Sequence, residues 1–375
     1  MATFVRSPAK TGTEHGTRPG LHDQTLISSG LADFDKVLGG GVPLGTIVLL
    51  CEDPCSRQHL NLLRYYLAEG AACGQSICWV GHENPSEGFR SFLPRCVEPS
   101  TSAVEERDDE SSDENLRIAW QYKRYIREKQ ATHHSPSPAT TKSKSAFRKG
   151  GSKSQAAAGV ALNWSHTFDL SKSMEETTLA ASPVKDFHRT GNCAEVVSKV
   201  TDFIAKLEDK NKPGTRGRYV GRAVVQSLCC DLKSLGFSQD LLLSLFRLKQ
   251  AVRGTSCTVF ISLQAPLFEA STVARAFHIV DGVIGLEALT SDSDVCSYMA
   301  DPSSGSCLLH IRKTPGAGEQ ERQVYVIRRR RKRLAIDVVV VDPDAEAEQD
   351  AASGQWQKAA TDALLSANPA SVLDF

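Results

Sequence analysis

The chain has 375 residues, 41% of them hydrophobic, which is enough to bury a sizeable core in one large α/β domain or two smaller ones. Its 44 Lys and Arg balance 44 Asp and Glu, so no global basic field announces a nucleic-acid partner, and any such binding must be local or shared with other subunits. The opening MATFVRSPAKTGTEHG has no apolar leader core, and no stretch approaches the roughly 18 apolar residues of a membrane span. A reducing compartment, cytoplasm or nucleus, is the expectation. The 11 cysteines are scattered and form no pair of C-x-x-C clusters, which argues against both metal and disulfides.

In chain order, residues 1–25 are polar and glycine-rich and read as a flexible tail. Residues 26–98 alternate helix and strand signals: GLADFDKVL, the strand TIVLLC, the helix QHLNLLRYYLAEG closed by Gly70, and the strand SICWVGHE. This is the rhythm of a mainly parallel sheet. Residues 99–192 break it. An acidic run from Glu105 to Glu114, the segment LRIAWQYKRYIREK and a Ser, Pro, Thr and Lys-rich stretch from Thr132 to Lys153 predict a partly disordered insertion within the domain. Two anchored pieces are expected in it, Leu116 to Ile126 and the surroundings of His166, Phe168 and Asp169.

From Asn192 the rhythm returns. AEVVSKVTDFIAKLED carries apolar residues at helical spacing, RAVVQSL reads as a buried strand, QDLLLSLFRLKQAVRG as a helix ended by Gly254, and SCTVFISLQ as the next strand. HIVDGVIGLEAL, SCLLHIRK and QVYVIRRRRKRLAIDVVVVD then predict three or four strands with little helix between them, so the sheet should finish antiparallel. The domain is expected to run from 26 to 344, with residues 345–375 a loose tail.

The chemistry concentrates where the strand Ile47–Cys51 ends. The approach, SGLADFDKVLGGGVPLG, is glycine-rich as in P-loop ATPases, where such a strand feeds G-x-x-x-x-G-K-[ST]. Here it feeds EDPCSRQH. In register, Glu52 and Arg57 replace the two glycines, Gln58 the lysine, and His59 the Ser or Thr. Glu52 brings negative charge where a triphosphate would lie, Arg57 lacks glycine's backbone freedom, Gln58 has no ammonium, and His59 offers no hydroxyl to magnesium. An ordinary strand, turn and helix would explain the turn alone; the glycine loop upstream favours a degenerate phosphate loop. A carboxylate at the end of a second apolar strand is also missing, since RAVVQSL gives out at Gln226 and Ser227. Asp231 beyond it reads as a cap before LKSLG, and Glu83 after CWVGH as a surface or structural acid.

Two segments have the composition of nucleic-acid contacts. Arg328, Arg329, Arg330, Arg331, Lys332 and Arg333 stand between VYVI and LAIDVVVV, where a basic hairpin could grip phosphates. A nuclear-import sequence or a solvated turn fits the same run. Trp120, Tyr122, Lys123, Arg124, Tyr125 and Arg127 interleave aromatic and basic groups as stacking platforms do, although an inserted helix needs such aromatics simply to dock.

The glycine-rich entry resembles that of RecA-like ATPase domains. The ordered set of empty phosphate loop, LRIAWQYK, HTFDLSKSM, RAVVQSL and GSCLLHIRKTPG resembles the family of Elongator complex subunit four over nearly the whole chain. That resemblance implies an α/β fold of RecA-like P-loop type with a degenerate phosphate loop, a mainly parallel central sheet and antiparallel C-terminal strands. It implies a heterohexameric ring with Elongator subunits five and six, two copies of each, which binds tRNA and serves the catalytic Elongator subcomplex in modifying wobble uridine at its 5 position. Catalysis belongs to another subunit of that complex, and Glu52, Arg57, Gln58 and His59 speak against nucleotide hydrolysis by this one; an active RecA-like ATPase and a stand-alone RNA-binding protein are the alternative readings. No cofactor or metal is expected.

Overall fold

The computed structural model describes residues 16–83, 87–97, 164–189, 191–212, 219–228, 237–289, 305–316, 324–330 and 332–339. Three apolar runs lie at its centre: β4 (Ile47–Cys51), β5 (Ser76–Gly81) and β10 (Cys257–Leu263) are buried at every residue. Continuous rather than alternating apolar sequence is what a strand covered on both faces requires. With β8 (Lys185–Arg189), β9 (Gly221–Val225), β11 (Gly282–Ala288), β12 (Gly305–Lys313), β13 (Val324–Arg329) and β14 (Leu334–Val338) they form a nine-stranded sheet in the order β14-β13-β12-β11-β4-β10-β9-β5-β8. From β11 to β8 all neighbours run parallel. The C-terminal strands β12, β13 and β14 add antiparallel pairs. The α/β expectation of a mixed sheet agrees with this architecture.

Helices cover both faces. On one lies α2 (Gln58–Ala72), packed with Trp79, Phe168, Val224 and Phe260. On the other, α5 (Cys193–Lys210), α6 (Phe237–Val252) and α7 (Ala270–Ile279) bury their apolar stripes against Ala223, Val225, Val259 and Ile261. Each buried Leu, Val or Phe contributes roughly 1.5–3 kcal/mol relative to exposure. Asn192 caps α5 by accepting the Glu195 amide at 2.9 Å, and the Asn192 side-chain amide reaches the Glu195 carboxylate at 3.2 Å. Shorter elements complete the body: α1 (Ala32–Val37), α3 (Phe89–Phe92), α4 (Glu176–Ala180), a small sheet of β1 (Thr17–Pro19), β2 (Thr25–Ile27) and β3 (Val42–Pro43), and the pair β6 (Pro94–Val97) and β7 (Thr167–Ser173). Among the described residues no helix is long and apolar enough to cross a membrane.

Several sequence expectations need correction. Residues 17–19 are a strand paired with 25–27, so the tail does not extend to residue 25. The expected insertion does not extend to 192 either, because β8 is the edge strand beside β5. Gly70 does not close α2, which continues to Ala72 before Gly74 turns it at φ 65°. The helix α7 went unread because STVARAFHI lies between stronger strand signals. Cys193 is disulfide-bonded, against the reading of the cysteines, since spacing along a chain does not say which thiols folding brings together. The anchored piece Leu116–Ile126 lies outside the described residues.

One buried cation ties these layers together. Arg222, in β9, faces α2 and is fully buried. Its Nε donates to Gln75 Oε1 at 2.6 Å, and its Nη1 donates to the carbonyls of Ser28 at 2.5 Å and Tyr66 at 3.1 Å. The guanidinium also lies 4.9 Å from the centre of the Tyr66 ring. Room for it comes from Gly70, where an added Cβ would stand 2.7 Å from Arg222 Cδ. Ser28 and Ser29 in turn hold the buried Asp35 through both hydroxyls and the Ser29 amide, at 2.5–2.6 Å. Burial raises the Asp35 carboxyl, opposed by those serine bonds and by Arg222. Between them Gly30, at φ 90°, brings the loop against α2: its Cβ would lie 2.3 Å from the Tyr65 carbonyl oxygen.

Replacing Arg222 with Met should therefore strand buried neutral acceptors, at a cost of about 1–3 kcal/mol for each one left without a donor. Urea denaturation checks it, and a variant as stable as the parent would show that the packing alone suffices.

Candidate functional site

The strand β4 lies between β10 and β11; the connection after β4, through α2, lies on one face of the sheet, and the connection after β10, through α7, lies on the other. A crevice beyond the carboxyl ends of such strands is where α/β sheets hold ligands. The loop from Glu52 to Arg57 occupies that position, with Glu52 and Asp53 buried and Pro54, Cys55 and Arg57 exposed. The Glu52 amide donates to the Leu263 carbonyl at 2.8 Å, extending the ladder by one residue. Its carboxylate is buried and accepts hydrogen bonds from Ser227 Oγ, at 2.6 Å, and Ser262 Oγ. The Ser227 amide donates to Ser262 Oγ at 2.9 Å, closing a triangle across the ends of β4, β9 and β10.

The rest of the loop is equally self-contained. Asp53 Oδ2 accepts the amides of Cys55 at 3.0 Å and Ser56 at 2.5 Å. In a phosphate loop, backbone amides of this kind face the ligand. Arg57 stands at the N-cap of α2 with φ 50°, a left-handed conformation that suits glycine, and its exposed guanidinium reaches Glu83 Oε1 at 3.3 Å. Gln58 is buried and accepts from the Asn61 amide at 3.1 Å. His59 is buried with Nε2 3.8 Å from Glu52 Oε2, and its Nδ1 has no hydrogen-bond partner among the described residues. Burial pushes its imidazole below the usual range against the pull of Glu52, which keeps the ring neutral at pH 7.

Glu52 follows the end of β4, and Arg57, Gln58 and His59 lie at the start of α2. Sequence register gives no sign of the partners of Glu52, Ser227 and Ser262, because a serine that ends one strand carries no signal of the carboxylate that another strand brings to it. Glu83 is the partner of Arg57. Gln226 lies beside it and accepts the His82 amide at 3.0 Å. Asp231 and the segment from Trp120 to Arg127 lie outside the described residues.

The basic run is a hairpin between β13 and β14. Arg330 and Arg333 exchange backbone hydrogen bonds at 2.9 and 3.2 Å, and Arg329 pairs with Leu334. Arg329, Arg330, Lys332 and Arg333 are exposed, whereas Arg328 is half-buried with Nε 3.5 Å from Asp337 Oδ2; Arg331 lies outside the described residues. The tip is held in place from both sides. Leu170 in β7 donates its amide to the Lys332 carbonyl at 2.8 Å, and the Leu334 amide donates to Tyr65 Oη of α2 at 3.2 Å. A fixed cluster of exposed cations can hold a polyanion through charge-assisted bonds.

A family model described as PAXNEB protein matches residues 10–375. The protein named Elongator complex protein 4 of Danio rerio is 24% identical over 331 residues, covering 80% of this chain and 76% of that protein. Its Homo sapiens counterpart is 23% identical over 333 residues, covering 80% and 72%. The Drosophila melanogaster protein of the same name reaches 37% over 113 residues, covering 28% and 26%. Among solved structures, a KaiC-like protein from Pyrococcus horikoshii OT3 overlays with a TM-score of 0.39 at 14% identity, covering 85% of this chain and 100% of that one. With the family model running over nearly its whole length, the chain belongs to the PAXNEB family, among relatives named Elongator complex protein 4.

Proposed function

We propose that the chain is a non-catalytic, RecA-like subunit of an Elongator complex. In this reading it joins subunits five and six in a heterohexameric ring that binds tRNA and supports the 5-carboxymethyl-type modification of wobble uridine by the catalytic subcomplex, in cytoplasm and nucleus. Its relatives' names support membership of the complex. The parallel order of β11, β4, β10, β9 and β5, with a loop opening from β4, supports the RecA-like reading. The observation that carries the non-catalytic role is the lock on Glu52. A carboxylate bound by two serine hydroxyls lies where phosphate charge would have to go, the loop amides are turned onto Asp53, and Gln58 supplies no cation. Electrostatic stabilisation by lysine and magnesium is most of what a phosphoryl-transfer site provides.

The full chain should accordingly show no ATP affinity in the micromolar range and no hydrolysis. Equilibrium binding of a fluorescent ATP analogue is the direct check. Micromolar binding that Gln58→Ala or Arg57→Ala abolishes would make this loop a nucleotide site after all.

Assembly is tested by mixing. Size-exclusion chromatography with light scattering should show the chain entering a stable hetero-oligomer with subunits five and six. A well-behaved monomer that ignores both would favour a stand-alone binding protein.

The hairpin is the proposed tRNA contact, through phosphates rather than bases. Changing Arg329, Arg330, Lys332 and Arg333 to Gln should weaken binding of different tRNAs to a similar extent. It should also reduce the slope of log affinity against log salt by roughly 0.7–0.9 for each phosphate that is no longer neutralised. Normal assembly with unchanged affinity and slope, but failed nuclear entry, would assign the run to import instead.

A further inference from the structure

At the far end of α2 from the locked loop, three groups of different chemistry meet. Glu69 and Cys73 lie four residues apart, one above the other on one face of the helix end. Both are buried, and His166 reaches them from the chain just before β7. Glu69 Oε1 is 2.9 Å from His166 Nδ1 and 3.3 Å from Cys73 Sγ, and the three ligand atoms all lie within 4.8 Å of one another. Bonds of about 2.0 Å to nitrogen and oxygen and 2.3 Å to sulfur set neighbouring ligand atoms of a tetrahedron roughly 3.3–3.5 Å apart. No group would have to move by more than about an ångström to meet a metal.

We infer that Glu69, Cys73 and His166 form a zinc site that clamps the end of α2 to the chain entering β7. A thiolate, an imidazole and one carboxylate are a borderline-soft donor set that suits zinc and disfavours magnesium or calcium, which seek oxygen. Three protein donors leave the fourth position of a tetrahedral zinc to water, and the other side of the site is covered. An added Cβ on Gly16 would lie 2.4 Å from Cys73 Sγ, so the backbone there covers the sulfur directly. The His166 amide donates to Glu69 Oε2 at 2.9 Å, a bond that would remain as outer support for a ligating carboxylate. Arg222 acts electrostatically on both Cys73 and His166, but the thiolate and carboxylate together cancel the charge of a divalent ion. Without metal, protons hold the same groups: the thiol and the imidazole face Glu69. Burial keeps the Cys73 thiol well above its ordinary range, so zinc must displace its proton and binding should weaken as pH falls. The site is independent of the ring and tRNA reading.

The test uses the full chain, stripped with a chelator and titrated with cobalt(II) as a spectroscopic substitute for zinc. Saturation at one equivalent is expected, with a thiolate-to-cobalt charge-transfer band that zinc abolishes by displacement. The band should vanish in Cys73→Ser, and His166→Gln should weaken binding at least tenfold. An unchanged band in Cys73→Ser, or no such band in the parent chain, would overturn the assignment. If the variants fail to fold, the parent chain still decides: zinc must raise its thermal midpoint and slow alkylation of a native thiol. Neither effect would leave Glu69 a proton-bonded anchor only.

Discussion

Burying a guanidinium in the middle of a sheet is costly unless every neighbour is arranged for it, and that constraint shapes one whole face of this fold. Arg222 stands in β9 where an apolar residue would be expected. The accommodation reaches into Gln75 before β5, Ser28 in the loop after β2, and the Tyr66 carbonyl and Gly70 on α2. A helix carbonyl that accepts a side-chain bond, a glycine inside a helix and a serine-held aspartate would each be odd alone. Together they are the conditions for one buried positive charge. They also explain why the short N-terminal sheet is ordered: the chain after β2 must present Ser28 to Arg222 and pass Gly30 against Tyr65.

The carboxyl edge of the sheet follows a different logic. Parallel strands end there with outward-facing amides and a loop at the point where connections diverge, an arrangement that attracts anions. Here the anion is internal. Glu52 and Asp53 take up the hydroxyls and amides that would otherwise face a ligand, and His59 stays neutral beside them because burial outweighs the attraction of Glu52. A loop satisfied in this way needs neither magnesium nor lysine to be stable. Glu52 is held by Ser227 and Ser262, Arg57 by Glu83 and Gln58 by Asn61, so the loop is tied to its own surroundings.

The central architecture was legible because its signals are local. TIVLLC, SICWVG and CTVFISL are continuous apolar runs, and AEVVSKVTDFIAKLED has clear helical spacing, so burial on both faces could be read directly. The departures from G-x-x-x-x-G-K-[ST] at Glu52, Arg57, Gln58 and His59 are local in the same way, a register laid on a known spacing. What escaped depends on tertiary encounter. KDFHR lacks the apolar run of a central strand because it is an edge, exposed or half-buried at every position, with Phe187 stacked on Trp79. Arg222 looked like the polar start of an apolar strand, and only the fold makes it a buried node. Glu69 and Cys73 resembled ordinary residues of an amphipathic helix, since the chain that supplies His166 returns 97 residues later.

These features share one element. The N-terminus of α2 is the end of the locked loop, its Tyr65 hydroxyl accepts the amide that anchors the basic hairpin, its Tyr66 carbonyl receives Arg222, and its last turn carries Glu69 and leads into Cys73. At about 1.5 Å per residue the helix spans roughly 22 Å, long enough to connect the carboxyl edge of the sheet with its opposite end. In an active phosphate-binding protein the corresponding helix is held in place partly by what its N-terminus does for the ligand. Here shifting the helix by even one turn would separate Tyr65 from the hairpin and Gly70 from Arg222. The hairpin, the buried cation and the returning chain each fix the position of the helix independently.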